Sequence, residues 1–414
     1  MEGIVFLLQI PIFATLNIKH SLKQKEKNNS DELIMSTAIA KKVQMVDLKG
    51  QYQKIKTEVD AAIQEVINST AFINGPAVKE FQADLEQYLH VKHVIPCANG
   101  TDALQIAMMA LGLQRGDEVI TASHTYIATA EVIGLLGLTP VLVEVHADTF
   151  CIDVAAIEKA ITPKTKAIVP VHLYGQCADM EPILALAQKH NLFVIEDVAQ
   201  AIGADYTFSN GATHKAGTMG TVGCTSFFPS KNLGCYGDGG AIYTNDTTLA
   251  EKLKMIAHHG QSVQYVHDMV GVNSRLDTIQ AAVLKIKLKH LDEYAAARNK
   301  AAAYYDKAFA NHPKIKIPAR AKNSTHVFHQ YTIQLVGADR NKIKEQLAAK
   351  DIPSMIYYPI PVHRQKAYQS DKNKSENFPI TEHLNTCVLS LPMHTELDED
   401  TLNYISSSLL EFVN

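Results

Sequence analysis

Lys231 stands in the segment Thr221–Asp238, TVGCTSFFPSKNLGCYGD, where a short apolar strand runs into Ser-Lys-Asn and then a glycine-rich turn. An amine between a strand end and a flexible loop can reach a carbonyl held in a cleft, form a Schiff base with it and later move protons. Such chemistry needs the amine partly neutral, which desolvation and neighbouring cations favour. On position alone the same residue could be a solvated surface lysine. The segment Leu192–Ala204, LFVIEDVAQAIGA, ends an apolar strand in two acids. Asp197 could pair with a protonated ring nitrogen, or simply cap the following turn. Alternation along the strand turns Glu196 to the opposite side, so only one of the two acids faces a ligand. Gln200, a little further on, could bond a ring hydroxyl. In PCANGTDALQ, Gly100 and Thr101 precede a helix, whose free amides and dipole suit a phosphate group. In TASHTYIAT, Tyr126 lies beyond a strand end, where an aromatic could stack on a ring or pack in the core.

The elements that must position these residues alternate. Apolar runs at Glu118–Thr121, Pro140–Val145, Ala167–His172 and Leu192–Glu196 read as buried strands. Helical patterns fall between them at Thr101–Leu113, Ala130–Leu136 and Met180–His190. The implied fold is α/β with a mainly parallel central sheet and helices on both faces. Ligands in such sheets bind at the carboxyl ends of the strands, where the candidates lie. Thr278–Tyr294 reads as one long amphipathic helix, continued by Arg298–Phe309. Beyond it come a strand near Tyr331–Val336, a helix near Lys342–Lys350, a strand-like IYYPIPV, then VLSLPMH and a last helix Glu399–Phe412. The expected division is an N-terminal extension over 1–44, a large domain over 45–295 and a smaller α/β C-terminal domain over 296–414.

The 414 residues suit that division, and a hydrophobic content of 46% with 20% charged residues is that of a globular chain. The net charge is −4, and the one basic block is Lys23–Lys27, so nothing argues for nucleic acid or an anionic membrane as partner. Cys97, Cys151, Cys177, Cys224, Cys235 and Cys387 form no C-x-x-C pair and match no zinc spacing. They read as buried thiols of a cytoplasmic protein, and no metal site is expected. Gly3–Ile18 is apolar, but no positive charge precedes it, and Gln9 and Pro11 interrupt it. It therefore suits neither a signal peptide nor a membrane anchor. Met35 is a plausible alternative start, with residues 1–34 an upstream extension or a poorly ordered tail.

SFFPSKNLGCYGDGGAIYTND, EDVAQAIGA, ANGTDAL, PVHLYGQ and GVNSRLDTIQAAVL together resemble the nucleotide-sugar aminotransferases, the DegT/DnrJ group of fold-type-I pyridoxal-5′-phosphate enzymes. The likeness runs from about Met45 to the C-terminus and includes YYPIPVHRQ and VLSLPMHTEL. It implies that Lys231 is the Schiff-base lysine, Asp197 the partner of the pyridinium nitrogen and Gln200 the neighbour of the ring hydroxyl. It assigns Gly100, Thr101 and Ser226 to the phosphate, and Tyr126 to ring stacking with His124 as a neighbouring candidate. It has Asn273 reach the phosphate from the partner subunit, hence a homodimer with a shared site. Arg275 would serve a carboxylate or diphosphate of the substrate, or an intersubunit salt bridge. Tyr358 and His363 are further substrate-binding candidates, and a structural role stands beside a functional one for His172 and His363.

The expected reaction moves an amino group from an amino acid, L-glutamate by resemblance, to a keto-sugar carried on UDP or dTDP, for surface polysaccharide or glycan biosynthesis. CANGTDALQI, LYGQCAD, CTSFFPSK and LGCYGDGGAI are closest to members acting on a UDP-linked 3-keto-N-acetylglucosaminuronic acid. The stretch Tyr206–Gly220 departs from the compact pattern and reads as an inserted loop that could touch the sugar. Two rival activities share the fold. One is a nucleotide-sugar dehydratase using pyridoxal or pyridoxamine phosphate, in which the lysine position is typically His. The other is a non-catalytic pyridoxal-phosphate-binding regulator.

Overall fold

Short apolar runs separated by Gly, Asn and Asp set the rhythm of the chain. The computed structural model describes residues 43–368 and 377–414. The expected extension over 1–44 and the alternative start at Met35 lie outside the described residues, save positions 43 and 44. In chain order the elements begin with α1 (Leu48–Ser69), α2 (Pro76–Leu89), β1 (His93–Cys97), α3 (Gly100–Ala110), β2 (Glu118–Ala122), α4 (Ala128–Leu135), β3 (Thr139–Val143), α5 (Val154–Ala160), β4 (Thr165–Val169), α6 (Met180–His190) and β5 (Phe193–Asp197). They continue with β6 (Asp205–Thr207), β7 (Thr213–Lys215), β8 (Val222–Ser226), β9 (Gly240–Thr244), α7 (Thr247–Ala257), β10 (Gln261–Val263), β11 (Val266–His267), α8 (Thr278–Leu288) and α9 (Leu291–Phe309). The last are β12 (Ile315–Lys316), β13 (Tyr331–Leu335), α10 (Arg340–Ala349), α11 (Pro379–Cys387), β14 (Val388–Leu391) and α12 (Glu399–Val413).

Side-chain caps fix where several helices begin. Asn99 accepts from the Asp102 amide to start α3, Asp246 from Leu249 to start α7, and Asp398 from Thr401 to start α12. Pro76 opens α2, where its missing N–H costs nothing.

Seven strands form the central sheet in the order β1-β9-β8-β5-β4-β2-β3. β5 runs parallel to β8 and β4, and β2 runs parallel to β4 and β3. β9 is antiparallel to both of its neighbours, β8 and β1. The sheet is thus mainly parallel, as the alternation of elements implies. One face buries Val94, Ile120, Val194 and Tyr243 against α2 and α6, and the other buries Ile95, Val119, Ile195 and Ile242 against α3 and α7. A second, antiparallel sheet, β12-β13-β14, packs against α10 and α11, and α12 packs on α9 and α10.

Two expectations are corrected. The helix foreseen over Thr278–Tyr294 stops at Leu288 and α9 restarts at Leu291. The amides of Lys289 and His290 bond three residues back, to Ile286 and Lys287, which tightens the turn and redirects the chain. The strand foreseen in IYYPIPV is absent. Pro359 and Pro361 supply no N–H, and the pairing beside this segment is a single bridge from Met355 to Ser390.

On β5, Glu196 and Asp197 do face opposite sides. Glu196 is fully buried. It accepts from the amides of Gly217 (2.8 Å), Met219 (2.8 Å) and Gly220 (2.6 Å), and from His172 Nε2 (2.9 Å). His172 Nδ1 accepts from the Ala178 amide at 3.1 Å, so its proton sits on Nε2 and the imidazole is neutral. Removing the carboxylate would orphan one buried amide and two part-buried ones. Glu196→Ala should therefore lower the unfolding free energy by about 3–5 kcal/mol, read from urea midpoints. A midpoint equal to that of the parent protein would show that this grip is not structural.

Candidate active site

The register of the sheet gathers the candidates at one edge. Cys97 of β1 lies opposite Gly240 of β9, Gly240 opposite Ser226 of β8, and Cys224 beside Asp197 of β5. Three chain segments therefore leave the sheet side by side: Ala98–Gly100 into α3, Phe227–Asp238 with Lys231, and Val198–Gln200.

Gly100 comes so close to β8 that an added Cβ would lie 2.7 Å from Ser226 Cβ. Only glycine lets the first turn of α3 press against Ser226, which brings the free amides of that turn beside the Ser226 side chain. Thr101 is half-buried in the same turn. Ser274 steadies the turn by donating to Asp102 (2.6 Å) and accepting from the Ala98 amide (3.0 Å).

Asp197 is buried at the end of β5. Its Oδ2 accepts from Thr129 Oγ1 at 2.7 Å and its Oδ1 from the Ala199 amide at 3.2 Å. Gln200 accepts from the Tyr174 amide (2.7 Å) and donates to the Tyr358 hydroxyl (3.0 Å). Tyr358 in turn faces Tyr126, with ring centroids 5.9 Å apart. Tyr126 is 57% exposed and offers a free face, whereas His124 is buried and bonded to the Tyr174 hydroxyl at 3.2 Å. Burial pushes His124 down to about 4, so its ring is neutral at pH 7.

Lys231 follows β8 on a tight arch. Its side chain is half-buried, and its ammonium makes no hydrogen bond or ion pair among the described residues. Burial lowers its pKa to about 8, and the nearby Asp197 carboxylate opposes that shift without cancelling it. His329 is buried close by. Desolvation first, then the charge of Lys231, hold its imidazole well below the usual histidine range. No spacing rule links position 329 to position 231, nor Thr129 to Asp197, and the sequence reading misses both. Only their buried, polar character within an apolar context could have flagged them.

The remaining candidates fall elsewhere. His363 is buried with both nitrogens engaged, to Ser123 Oγ (2.5 Å) and Glu382 Oε1 (2.7 Å). That leaves no ring nitrogen for a ligand and ties its segment to the end of β2. Asn273 is exposed. Arg275 lines a cavity of about 1040 Å³ with Lys79, His93, Lys254 and His258, and none of Lys231, Asp197, Gln200 or Ser226 lines it. Arg275 is thus not gathered with the lysine within one chain, while Ser274, next to Asn273, bonds the start of α3. The Tyr206–Gly220 stretch contains the β6–β7 hairpin, where the buried Tyr206 hydroxyl donates to Asp179 (2.7 Å) and Ser209 bonds Glu181. All six cysteines are buried and unpaired, and no cluster among the described residues could hold a metal ion.

A phosphate-bearing aromatic aldehyde fits this arrangement. The first-turn amides at Gly100 beside Ser226 would suit the phosphate, the unpaired Lys231 amine the aldehyde, and the Asp197 carboxylate a ring N–H.

The sequence profile of the DegT/DnrJ/EryC1/StrS aminotransferase family matches residues 53–410. The UDP-2-acetamido-2-deoxy-3-oxo-D-glucuronate aminotransferase of Pseudomonas aeruginosa is 46% identical over 89% of this chain and 99% of its own length. A pleiotropic regulatory protein of Geobacillus stearothermophilus is also 46% identical, over 89% of this chain and 98% of its own. Among solved structures, DesV of S. venezuelae in complex with a ketimine intermediate superposes with a TM-score of 0.86 at 40% identity, covering 90% of this chain and 99% of that one.

The lowered pKa has a direct readout. Acylation of Lys231 by an amine-selective reagent, followed by peptide mass spectrometry, should rise through pH about 8. It should level off by about pH 9, whereas an unperturbed lysine keeps gaining reactivity up to about pH 10. A Lys231 profile matching that of the exposed lysines would contradict the burial argument.

Proposed function

The chain belongs to the DegT/DnrJ/EryC1/StrS aminotransferase family, and on that premise we propose that it transfers an amino group from an amino acid to a nucleotide-linked keto-sugar with pyridoxal phosphate bound at Lys231. One observation carries the assignment of the site. An unpaired, desolvated lysine stands at the end of β8, beside a buried carboxylate at the end of β5, with a helix N-terminus pressed against the same strand end.

When bound, pyridoxal phosphate supplies the aldehyde that accepts amino groups and the ring that takes up the electron pair left at the donor carbon. The chain's own groups do the rest. The amides of the first turn of α3, at Gly100 and Thr101, and the Ser226 hydroxyl hold the phosphate. The Asp197 carboxylate, oriented by Thr129, would accept the ring N–H and keep that nitrogen protonated. Gln200, bonded to the Tyr358 hydroxyl, would hold the ring hydroxyl, and Tyr126, tilted beside Tyr358, would pack on the ring. With a pKa of about 8, Lys231 can both take the proton from the donor carbon and return it near neutral pH.

The substrate class follows the relatives, and a UDP-linked 3-keto sugar acid is the first to try, with L-glutamate as donor. A role in surface polysaccharide or glycan assembly belongs to the same reading. So does the division into a large domain over 45–295 and a small one over 296–414. A homodimer with a shared site is supported by exposed apolar side chains at Phe72, Ile73, Val263, Tyr265 and Val270, and by the exposed Asn273. Asn273 would then reach the partner's phosphate, and Arg275 the substrate's charged groups. Residence in the cytoplasm is supported by six unpaired cysteines. Among the described residues no helix is long and apolar enough to cross a membrane.

The regulator reading keeps weight because one relative carries that name. A regulator holding pyridoxal phosphate at Lys231 would use the same unpaired amine, so turnover of a nucleotide keto-sugar is what separates the two. Lysine at position 231, rather than His, speaks against the dehydratase.

The test is amino-sugar formation from a UDP-linked 3-keto sugar and L-glutamate, followed by mass spectrometry. Lys231→Ala should lose about 10³-fold or more in rate and lose covalent attachment of the cofactor. Pyridoxal phosphate bound at Lys231 without turnover of any nucleotide keto-sugar would favour the regulator. A protein that takes up no pyridoxal phosphate would overturn the site.

A further inference from the structure

Helix α8 buries Ala281, Ala282, Val283, Leu284, Ile286 and Leu288, and among them one cation, Lys287, only 1% exposed. Its Nζ donates to the Gly234 carbonyl at 2.6 Å and lies 5.5 Å from the centroid of the Tyr236 ring. Among the described residues no carboxylate pairs with it. An apolar side chain of similar length would fill this place without desolvating a charge. The retained ammonium therefore asks for a reason, and its target supplies one.

Gly234 is a foot of the arch that bears Lys231. An added Cβ at Gly234 would lie 2.3 Å from the Pro229 carbonyl oxygen, so the chain at 229 and at 234 is pressed together with Lys231 between them. Two amides close the arch, Lys231 onto the Phe228 carbonyl (2.8 Å) and Cys235 onto the Phe227 carbonyl (2.8 Å). Gln280, two turns before Lys287 and on the same face of α8, accepts from the Tyr236 amide at 2.8 Å. One helix face thus grips the arch at 234 and again at 236.

We propose that Lys287 is a positioning residue for Lys231: by holding the Gly234 carbonyl from beneath, it fixes the foot of the arch and hence the place from which the Lys231 amine reaches its carbonyl. The inference rests on Lys231 being the lysine that binds pyridoxal phosphate. Its first readout does not depend on that cofactor.

The experiment compares the full-length parent protein with Lys287→Met and Gln280→Leu. Hydrogen–deuterium exchange of peptides covering 227–236 is measured without and with pyridoxal phosphate. It is paired with thermal midpoints and with cofactor affinity from visible absorbance. Lys287→Met should melt at the parent's temperature or higher, because a buried charge is replaced by an apolar chain. Exchange should quicken in 227–236 alone, and cofactor affinity should weaken about 10-fold. Unchanged exchange and affinity would overturn the proposal, as would a general loss of protection with a lower midpoint. Should Lys287→Met not fold, Gln280→Leu releases the second grip and is held to the same outcomes. Borohydride reduction and peptide mapping separate the two claims. Cofactor trapped on another lysine sinks the assignment of Lys231, while the exchange result still decides whether Lys287 pins the arch.

Discussion

A single buried carboxylate, Glu196, sets the geometry on which the site depends. It takes three backbone amides from 217–220 and the Nε2 proton of His172. Hydrogen bonds to a charged group contribute about 1.5–3 kcal/mol each. Because successive side chains on a strand point to opposite faces, holding Glu196 on one face fixes the rotation of β5 and turns Asp197 to the other. The gripped amides lead directly into β8, so the same carboxylate sets where β8 begins. The far end of β8 carries Ser226 and the Lys231 arch. The Asp197 acid, the Lys231 amine and the Gly100–Ser226 corner are thereby placed relative to one another from the opposite side of the sheet.

Within that frame the electrostatics of Lys231 is a contest that burial wins. The Asp197 carboxylate draws the amine toward its charged form, yet desolvation carries the pKa down to about 8. The carboxylate is already held by Thr129 and by the Ala199 amide, and the lysine forms no ion pair with it. Both groups are left for a ligand rather than for each other. The buried, neutral His124 and Tyr174 behind them add shape without charge.

Much of this was legible in the sequence. The parallel strands announced themselves as apolar runs, and the alternation with helices gave the layer order. Lys231, Asp197 and Gly100 were each weak alone and became specific as a set. What escaped was carried by long-range packing. Thr129, His329 and Lys287 act through neighbours 68, 98 and 53 positions away, and no local period encodes such pairs. IYYPIPV misled because its apolar residues imitate a strand while its prolines cannot join a ladder. The break at Lys289–His290 carries no glycine or proline to signal it.

The position of β1 has a bearing on how the chain assembles. Among the described residues β1 is the first strand made, yet it stands at the sheet's edge and pairs only with β9, whose residues follow nearly 150 positions later. The cradle between Gly100 and Ser226 spans a comparable stretch. A chain growing from its N-terminus can pair β2 with β3, then β4 and β5, long before β1 has any partner. The corner between Gly100 and Ser226 closes only when β9 arrives between β8 and β1. Formation of this candidate cradle is therefore a late event, coupled to completion of the whole sheet, and a nascent chain lacking β9 holds its residues without its shape.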